Sequence, residues 1–208
     1  MSSVLEYLGH SCFLLTADNG WKGIFDPYAD GSVPGLKLPD VHATDIFISH
    51  QHRDHNAAEL VSLLQHGNPC PYEITVLKTD HDDQSGSLRG SNDITILKNA
   101  DEMIVHCGDL GRMLTESEIH AMRHADVLMI PCGGHYTIDA SQACAILKQV
   151  EPKLTVLMHY RRGAVGYDVL ASLEEVCQHI PNVQVSAETA VQIGAVSGVI
   201  ALQPKQES

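Results

Sequence analysis

Between Ile48 and Asn56 the chain reads ISHQHRDHN, three histidines and an aspartate inside the six residues His50 to His55. A soluble domain has little structural reason to crowd four potential metal ligands together, so the rest of the fold has to be built around this segment. The apolar run Asp45–Ser49 leads into it as a strand, and Leu60, Leu63 and Leu64 give Asn56–Gln65 helical spacing. The cluster is therefore expected where a strand turns into a helix. In extended backbone, residues two apart share a face, so His50 and His52 can hold one ion together. Asp54 and His55 then face a neighbouring volume that suits a second ion. Imidazole with carboxylate and no thiolate suits zinc, manganese or iron in an open site, not a closed structural zinc.

Further ligands should stand where other strands end on the same edge. Alternation and turn residues predict strands over Val4–Leu8, Cys12–Thr16, Trp21–Phe25, Tyr72–Leu77, Asp93–Leu97, Met103–His106, Val127–Ile130, Leu154–Met158 and Val183–Val185. Later strands lie within Val191–Leu202, whose apolar part from Ala195 suits either an inner or an interface strand. Ala29–Pro39 and Thr79–Asn92 read as loops. Thr115 with Glu118 forms a capping box for a helix through about Arg123, and Asp139–Val150 and Asp168–Ile180 are the other helices. Strands lead in each half and helices follow. This predicts an α/β fold of two sheets sandwiched between helices, with residues 1–208 as a single domain.

His81, Asp109 and His159 each follow one of these strands, and join His50, His52, Asp54 and His55 as candidate metal ligands. His106 competes with His81. Three residues from Asp109 in an extended strand, His106 faces the opposite side unless Gly108 bends the chain, so His81 is preferred and His106 is assigned to the core or to support of a ligand. By the same parity Cys107 shares the side of Asp109, and reads as a small buried residue.

Taken in order, HQHRDH from His50 to His55, then His81, HCGDLG from His106 to Gly111, and MHY from Met158 to Tyr160 resemble the metallo-β-lactamase fold superfamily with its H-x-H-x-D-H signature. GHSCFLL at Gly9–Leu15, IFDP at Ile24–Pro27 and PCGGHYTIDA at Pro131–Ala140 are similar to its UlaG-like branch of metal-dependent hydrolases. The resemblance covers nearly the whole chain. It implies a four-layer αββα sandwich with the metal site at one edge of the sheets. His50, His52 and His81 would hold one divalent ion, Asp54, His55 and His159 the other, and Asp109 would bridge. Zinc is the first expectation, with manganese or iron as alternatives. The implied reaction is hydrolysis of a small anionic ester, lactone, amide or phosphodiester by a hydroxide activated between two metals, with the catalytic Asp54 carrying a proton to the leaving group. The branch includes a sugar-phosphate lactonase, which makes a phosphorylated lactone one candidate by analogy. The alternatives are an RNA- or nucleotide-directed phosphodiesterase, and a di-iron redox protein in which Asp82 or Asp83 replaces the third histidine.

Around this set, His10, His135, Tyr160 and Arg161 are candidate substrate contacts, with Tyr136 also near the pocket and His10 equally suited to capping a hairpin. Arg161 and Arg162 can clamp a phosphate or carboxylate. Asp26 can orient a ligand histidine. His42, His66, His120, His124 and His179 are assigned to ordinary surface. With 13 basic against 26 acidic residues the net charge is −13, which disfavours binding to a phosphate backbone. The expected partner is a small-molecule substrate, with a homo-oligomer possible. Six cysteines without a CxxC pair, no apolar run long enough to span a bilayer and no signal peptide give a cytoplasmic expectation, and β-lactam hydrolysis is not expected.

Overall fold

The computed structural model describes residues 3–205. An antiparallel meander opens it: β1 (Val4–Gly9), β2 (Cys12–Thr16) and β3 (Lys22–Phe25). A two-stranded ribbon joins β4 (His42–Ala43) to β6 (Ser62–Leu63), and between them β5 (Asp45–Phe47) pairs in parallel with β3. The second sheet begins with β7 (Glu73–Asp80), β8 (Ser91–Lys98) and β9 (Met103–His106), each antiparallel to the next. It continues in parallel through β10 (Val127–Pro131), β11 (Leu154–Met158), β14 (Gly198–Ala201) and β12 (Val183–Val185). β13 (Ala190–Gln192) closes the first sheet beside β1. The helices are α1 (Glu116–Met122), α2 (Ala140–Val150) and α3 (Leu173–His179).

Strand direction decides where the ligands go. β1 and β3 are both antiparallel to β2, and β5 is parallel to β3, so the C-terminal ends of β1, β3 and β5 lie together. β7 and β9 are both antiparallel to β8, and β10 and β11 continue β9 in parallel, so those four ends also lie together. His10, Asp26 and His50 follow the first three ends, and His81, Asp109 and His159 follow ends in the second sheet.

The sheets face each other across one core, where Leu5, Tyr7, Phe13, Leu15, Trp21 and Phe25 join a continuous cluster with Ile94, Ile96, Ile104 and Val105. Every residue of β10 and β11 is buried, as central parallel strands covered on both faces require. α2 covers the second sheet with Ala140, Ala143, Ile146 and Val150. The first sheet's outer face is sealed differently: Leu8, Cys12, Leu14 and Ile24 pack under Tyr28, Val33, Leu36, Leu38, Val41 and Val61 from irregular chain.

Asn56–Gln65 is accordingly not the helix its spacing predicts. Ala57 N–H donates to Pro27 O, a single 3₁₀ turn spans Ala58–Leu60, and the N–H groups of Ser62 and Leu64 go to Val41 O and Ala43 O. Long-range pairing wins over periodicity there, and Leu60, Leu63 and Leu64 stay exposed. The last helix starts at Leu173, not Asp168, because Ser172 and Glu175 cap each other's backbone. β7 runs on to Asp80, into the expected loop. β14 lies inside the second sheet, which settles the C-terminal apolar run as an inner strand. All six cysteines are unpaired, and no helix among the described residues is long and apolar enough to cross a membrane.

Candidate metal centre

The side chains at these strand ends converge on one atom. Asp109 Oδ2 lies 3.1 Å from His159 Nε2, 3.2 Å from His55 Nε2, 3.4 Å from His81 Nε2 and 3.9 Å from His50 Nε2. All five residues are buried. Two compact donor groups flank that carboxylate. His50, His52 and His81 form one; His10, Asp54, His55 and His159 form the other. A third group, Asp26, His50 and His55, draws one histidine from each of them.

A hydrogen-bonded frame sets the imidazoles. Ser49 Oγ donates to Asp26 Oδ2 at 2.6 Å, so it accepts from His50 Nδ1 at 2.9 Å. Asp26 Oδ2 also accepts from His55 Nδ1 at 2.8 Å, and Asp26 Oδ1 accepts from Ser49 N–H at 2.7 Å. With Nδ1 protonated on both rings, the Nε2 lone pairs of His50 and His55 are left free and directed at the centre, and neither atom has a hydrogen-bond partner. Asp109 is held by its own backbone, whose N–H donates to Asn92 Oδ1 at 2.8 Å.

Electrostatics favour a cation here. Burial pushes His50 down to about 3, helped by His55, and His10 down to about 4, helped by His159. Burial also lowers His52 and His81. Burial opposes a charged His55, but the Asp109 and Asp26 carboxylates outweigh it and raise that ring well above the usual imidazole range. Burial opposes ionisation of Asp109 as well, and His159 and His55 hold it well below the carboxylate range. An ionised carboxylate buried among imidazoles needs a positive partner. Divalent ions supply it while leaving every histidine neutral, so the donor set fits metal.

Strained backbone accompanies the site. His10, Asp26, His135, Tyr136 and His159 all have positive φ, between 43° and 69°. His10 is both a hairpin residue and a site residue: it sits in the β1–β2 turn, and its Nε2 lies 3.2 Å from Asp54 Oδ2. The Tyr167 hydroxyl donates to Ser32 O at 2.6 Å and lies 3.2 Å from Asp54 Oδ2. Burial raises Asp54, yet the hydrogen bond with His10 and the charge of His55 leave it lowered. Gly111 lets the β7 loop close over the centre. Its N–H donates to Asp80 O at 2.9 Å, and a Cβ there would overlap the backbone of His81 and Asp82. Gly111→Ala should therefore cost about 1–3 kcal/mol and displace His81. Thermal melting and zinc titration check this: a lower melting temperature with weaker zinc uptake is expected.

A cavity of about 220 Å³ opens on the centre, lined by Asp54, His81, Arg89, Asp109, His135, His159, Tyr167, Val169 and Leu170. Several sequence expectations change here. Tyr160 is not a pocket residue: it is buried, and its hydroxyl faces Leu202 O at 3.5 Å. Arg161 does not line the cavity either, because its guanidinium turns to Gly163 O at 3.4 Å. Arg162 ties down the C-terminal segment through Leu202 O and Ser186 O, and so is no anion clamp. His106 stands apart from both donor groups, with its Nε2 on Ser11 O at 2.9 Å and its ring stacked on Phe25. Gly108, at φ 54°, supplies the bend that lets Asp109 reach the centre. Asp82 cannot replace a histidine ligand, since its carboxylate accepts from the backbone of Gln84, Gly86, Leu88 and Arg89. Cys107 is buried, and burial pushes its thiol up. His42, His66, His120, His124 and His179 are exposed as expected.

The sequence reading missed Tyr167 and Arg89. Tyr167 lies just before a helix that was extended too far back. The S-x-x-E box at Ser172–Glu175 was the signal that could have freed its segment for the cavity wall. Arg89 carries no local signal.

Comparison with known proteins agrees with this architecture. Residues 4–159 match the model of the beta-lactamase superfamily domain. The UPF0173 metal-dependent hydrolase of Staphylothermus marinus is 27% identical over 190 residues, covering 76% of this chain and 83% of that protein. Its counterpart in Carboxydothermus hydrogenoformans is 26% identical over 197 residues, covering 77% and 86%. A solved structure from Thermotoga maritima, of the metallo-beta-lactamase superfamily, superposes with a TM-score of 0.73 at 22% identity, over 97% of this chain and 100% of that one. At that identity it shows the fold alone. The family match spans both donor groups from His10 to His159, and the chain belongs to the metallo-β-lactamase superfamily.

Proposed function

We propose that this chain is a metal-dependent hydrolase acting on a small anionic ester, lactone or phosphodiester across a two-metal centre. One observation carries the reading: four histidine Nε2 atoms surround the buried Asp109 carboxylate at the floor of an open cavity. His50, His52 and His81 would hold one ion, Asp54, His55 and His159 the other, and Asp109 would join them. Zinc suits this imidazole and carboxylate set, with manganese or iron also accommodated. When bound, such ions supply Lewis acidity, which acidifies water and polarises a carbonyl or phosphoryl group. The protein's own groups do the rest. Asp26 and Ser49 fix the tautomers of His55 and His50. Asp54 stands at the cavity wall between His10 and Tyr167, where its carboxylate would take up a proton during turnover and return it to the leaving group. Val169 and Leu170 form an apolar wall beside it. The likeness to the UlaG-like branch supports a lactone or phosphate ester over RNA, as does the net charge of −13.

The test is a panel of p-nitrophenyl esters, lactones, thioesters and bis(p-nitrophenyl) phosphate, offered to zinc- and manganese-loaded protein. Turnover of at least one class, lost on chelation and restored by metal, is expected. No turnover of any class, or turnover indifferent to chelator, would overturn the reading.

A further inference from the structure

Among the described residues Arg89 is the only arginine or lysine lining the cavity above Asp109. It also lines an adjoining cavity of about 380 Å³ that reaches His50 and His52, so its side chain stands between the two approaches to the centre. The other cation of that second cavity, Lys78, is paired with Asp93 at 2.6 Å. Among the described residues Arg89 makes no ion pair, whereas Arg112 binds Asp80 and Glu118, and Arg123 binds Glu151. Its guanidinium donors are unspent, in a chain whose net charge of −13 otherwise repels anions.

The placement of Arg89 is built. Asp82 gathers four backbone N–H groups, the last from Arg89 itself at 2.7 Å, and His81 N–H closes the same loop on Gly90 O at 3.0 Å. Arg89 is thereby fixed relative to the ligand His81. Its guanidinium carbon lies 4.8 Å from the centre of the Tyr136 ring. Tyr136 and its neighbour His135 both hold left-handed backbone, φ 69° and 56°, which places His135 in the cavity wall and Tyr136 against the guanidinium. Strain of this kind persists where the surroundings require it. An exposed arginine is ordinarily solvated, but this one is held on an aromatic face at the mouth of a cavity.

We propose that Arg89 selects the substrate's charge: its planar fork binds a carboxylate or phosphate group of the substrate while the scissile bond lies over Asp109. The proposal rests on the hydrolase reading and deepens it. The cavity is about 220 Å³ and shares Arg89 with the neighbouring one of about 380 Å³, which suits a small acid or phosphate whose anionic group lies a few bonds from the ester or lactone carbonyl.

A matched pair of esters tests this with the zinc-loaded protein. Mono-p-nitrophenyl adipate is anionic at its far end, and p-nitrophenyl hexanoate is neutral and of equal chain length. In each, water adds its oxygen to the acyl carbon, the acyl C–O bond breaks and p-nitrophenolate leaves with the electron pair, the proton passing to solvent. Arg89→Gln should raise KM for the adipate ester by about tenfold with kcat little changed, and leave the hexanoate ester untouched. Arg89→Lys should recover part of the loss, keeping charge but not the fork. An equal effect on both esters, or on neither, overturns the proposal. Should the wild-type protein hydrolyse neither ester, calorimetric titration with adipate and with inorganic phosphate decides. Binding of either anion weakened about tenfold by Arg89→Gln upholds Arg89 whatever the substrate panel shows of the hydrolase reading, and whichever anion depends more on Arg89 is the class it recognises. Equal binding of both anions by wild type and variant overturns the assignment.

Discussion

Asp109→Ala is expected to lower metal-dependent turnover by about a thousandfold or more. The carboxylate is the one group that all four Nε2 atoms face, and it belongs to both halves of the centre. On the proposed two-metal reading neither ion would keep a shared ligand without it, and the Lewis-acid stabilisation, worth several kcal/mol, would be lost; about 4 kcal/mol is a factor of roughly a thousand. Elemental analysis alongside kcat/KM on the best substrate checks this, with fewer than one ion per chain expected in the variant. Asp109→Asn preserves shape and the backbone contact to Asn92 but not the charge, and separates loss of metal from loss of fold. Full activity in either variant would remove Asp109 from its bridging place.

Metal removal should have the second large effect, on stability. Chelation leaves buried imidazole atoms unpartnered, among them His50 Nε2 and His55 Nε2, around a carboxylate that needs positive charge. An ion that binds the folded chain alone, present at a thousand times its dissociation constant, contributes about 4 kcal/mol. For a chain of this size that corresponds to roughly 8–16 °C in melting temperature. Differential scanning calorimetry of protein treated with chelator and then reloaded should show that loss and its recovery. A melting temperature unmoved by chelation would mean that the histidines are satisfied without metal.

Much of this candidate centre was legible because histidine and aspartate at successive strand ends stand out from the apolar runs before them. His81, Asp109 and His159 each follow a strand that could be read from alternation or from an apolar run. The preference for His81 over His106 rested on strand parity with no bend at Gly108; the chain does bend there, at φ 54°, and what keeps His106 apart is its own contact with Ser11 O and its stacking on Phe25. The helix start read from a cap, at Thr115, coincides with the capping box observed, and the helix read from Asp139 proves to have Asp139 as its N-cap. The failures share one cause, which is that long-range partners are invisible locally. Leu60, Leu63 and Leu64 carry helical spacing, but Ser62 and Leu64 pair with Val41 and Ala43, far back in the chain. Arg161 and Arg162 follow a ligand histidine in sequence, yet left-handed backbone at His159 and the pull of Leu202 and Ser186 carry them away from the cavity. Arg89 reaches the centre only because Asp82 folds its loop back over eight residues, Asp82 to Arg89.

The two-metal centre is tested most directly by anomalous X-ray diffraction at the zinc edge, on crystals of protein purified without a histidine tag. Two peaks per chain are expected, about 3.5–4 Å apart and on either side of Asp109 Oδ2. One should lie among His50, His52 and His81, the other among Asp54, His55 and His159. A single peak, or a pair with Asp109 outside bonding distance of both, would contradict a bridged pair of ions.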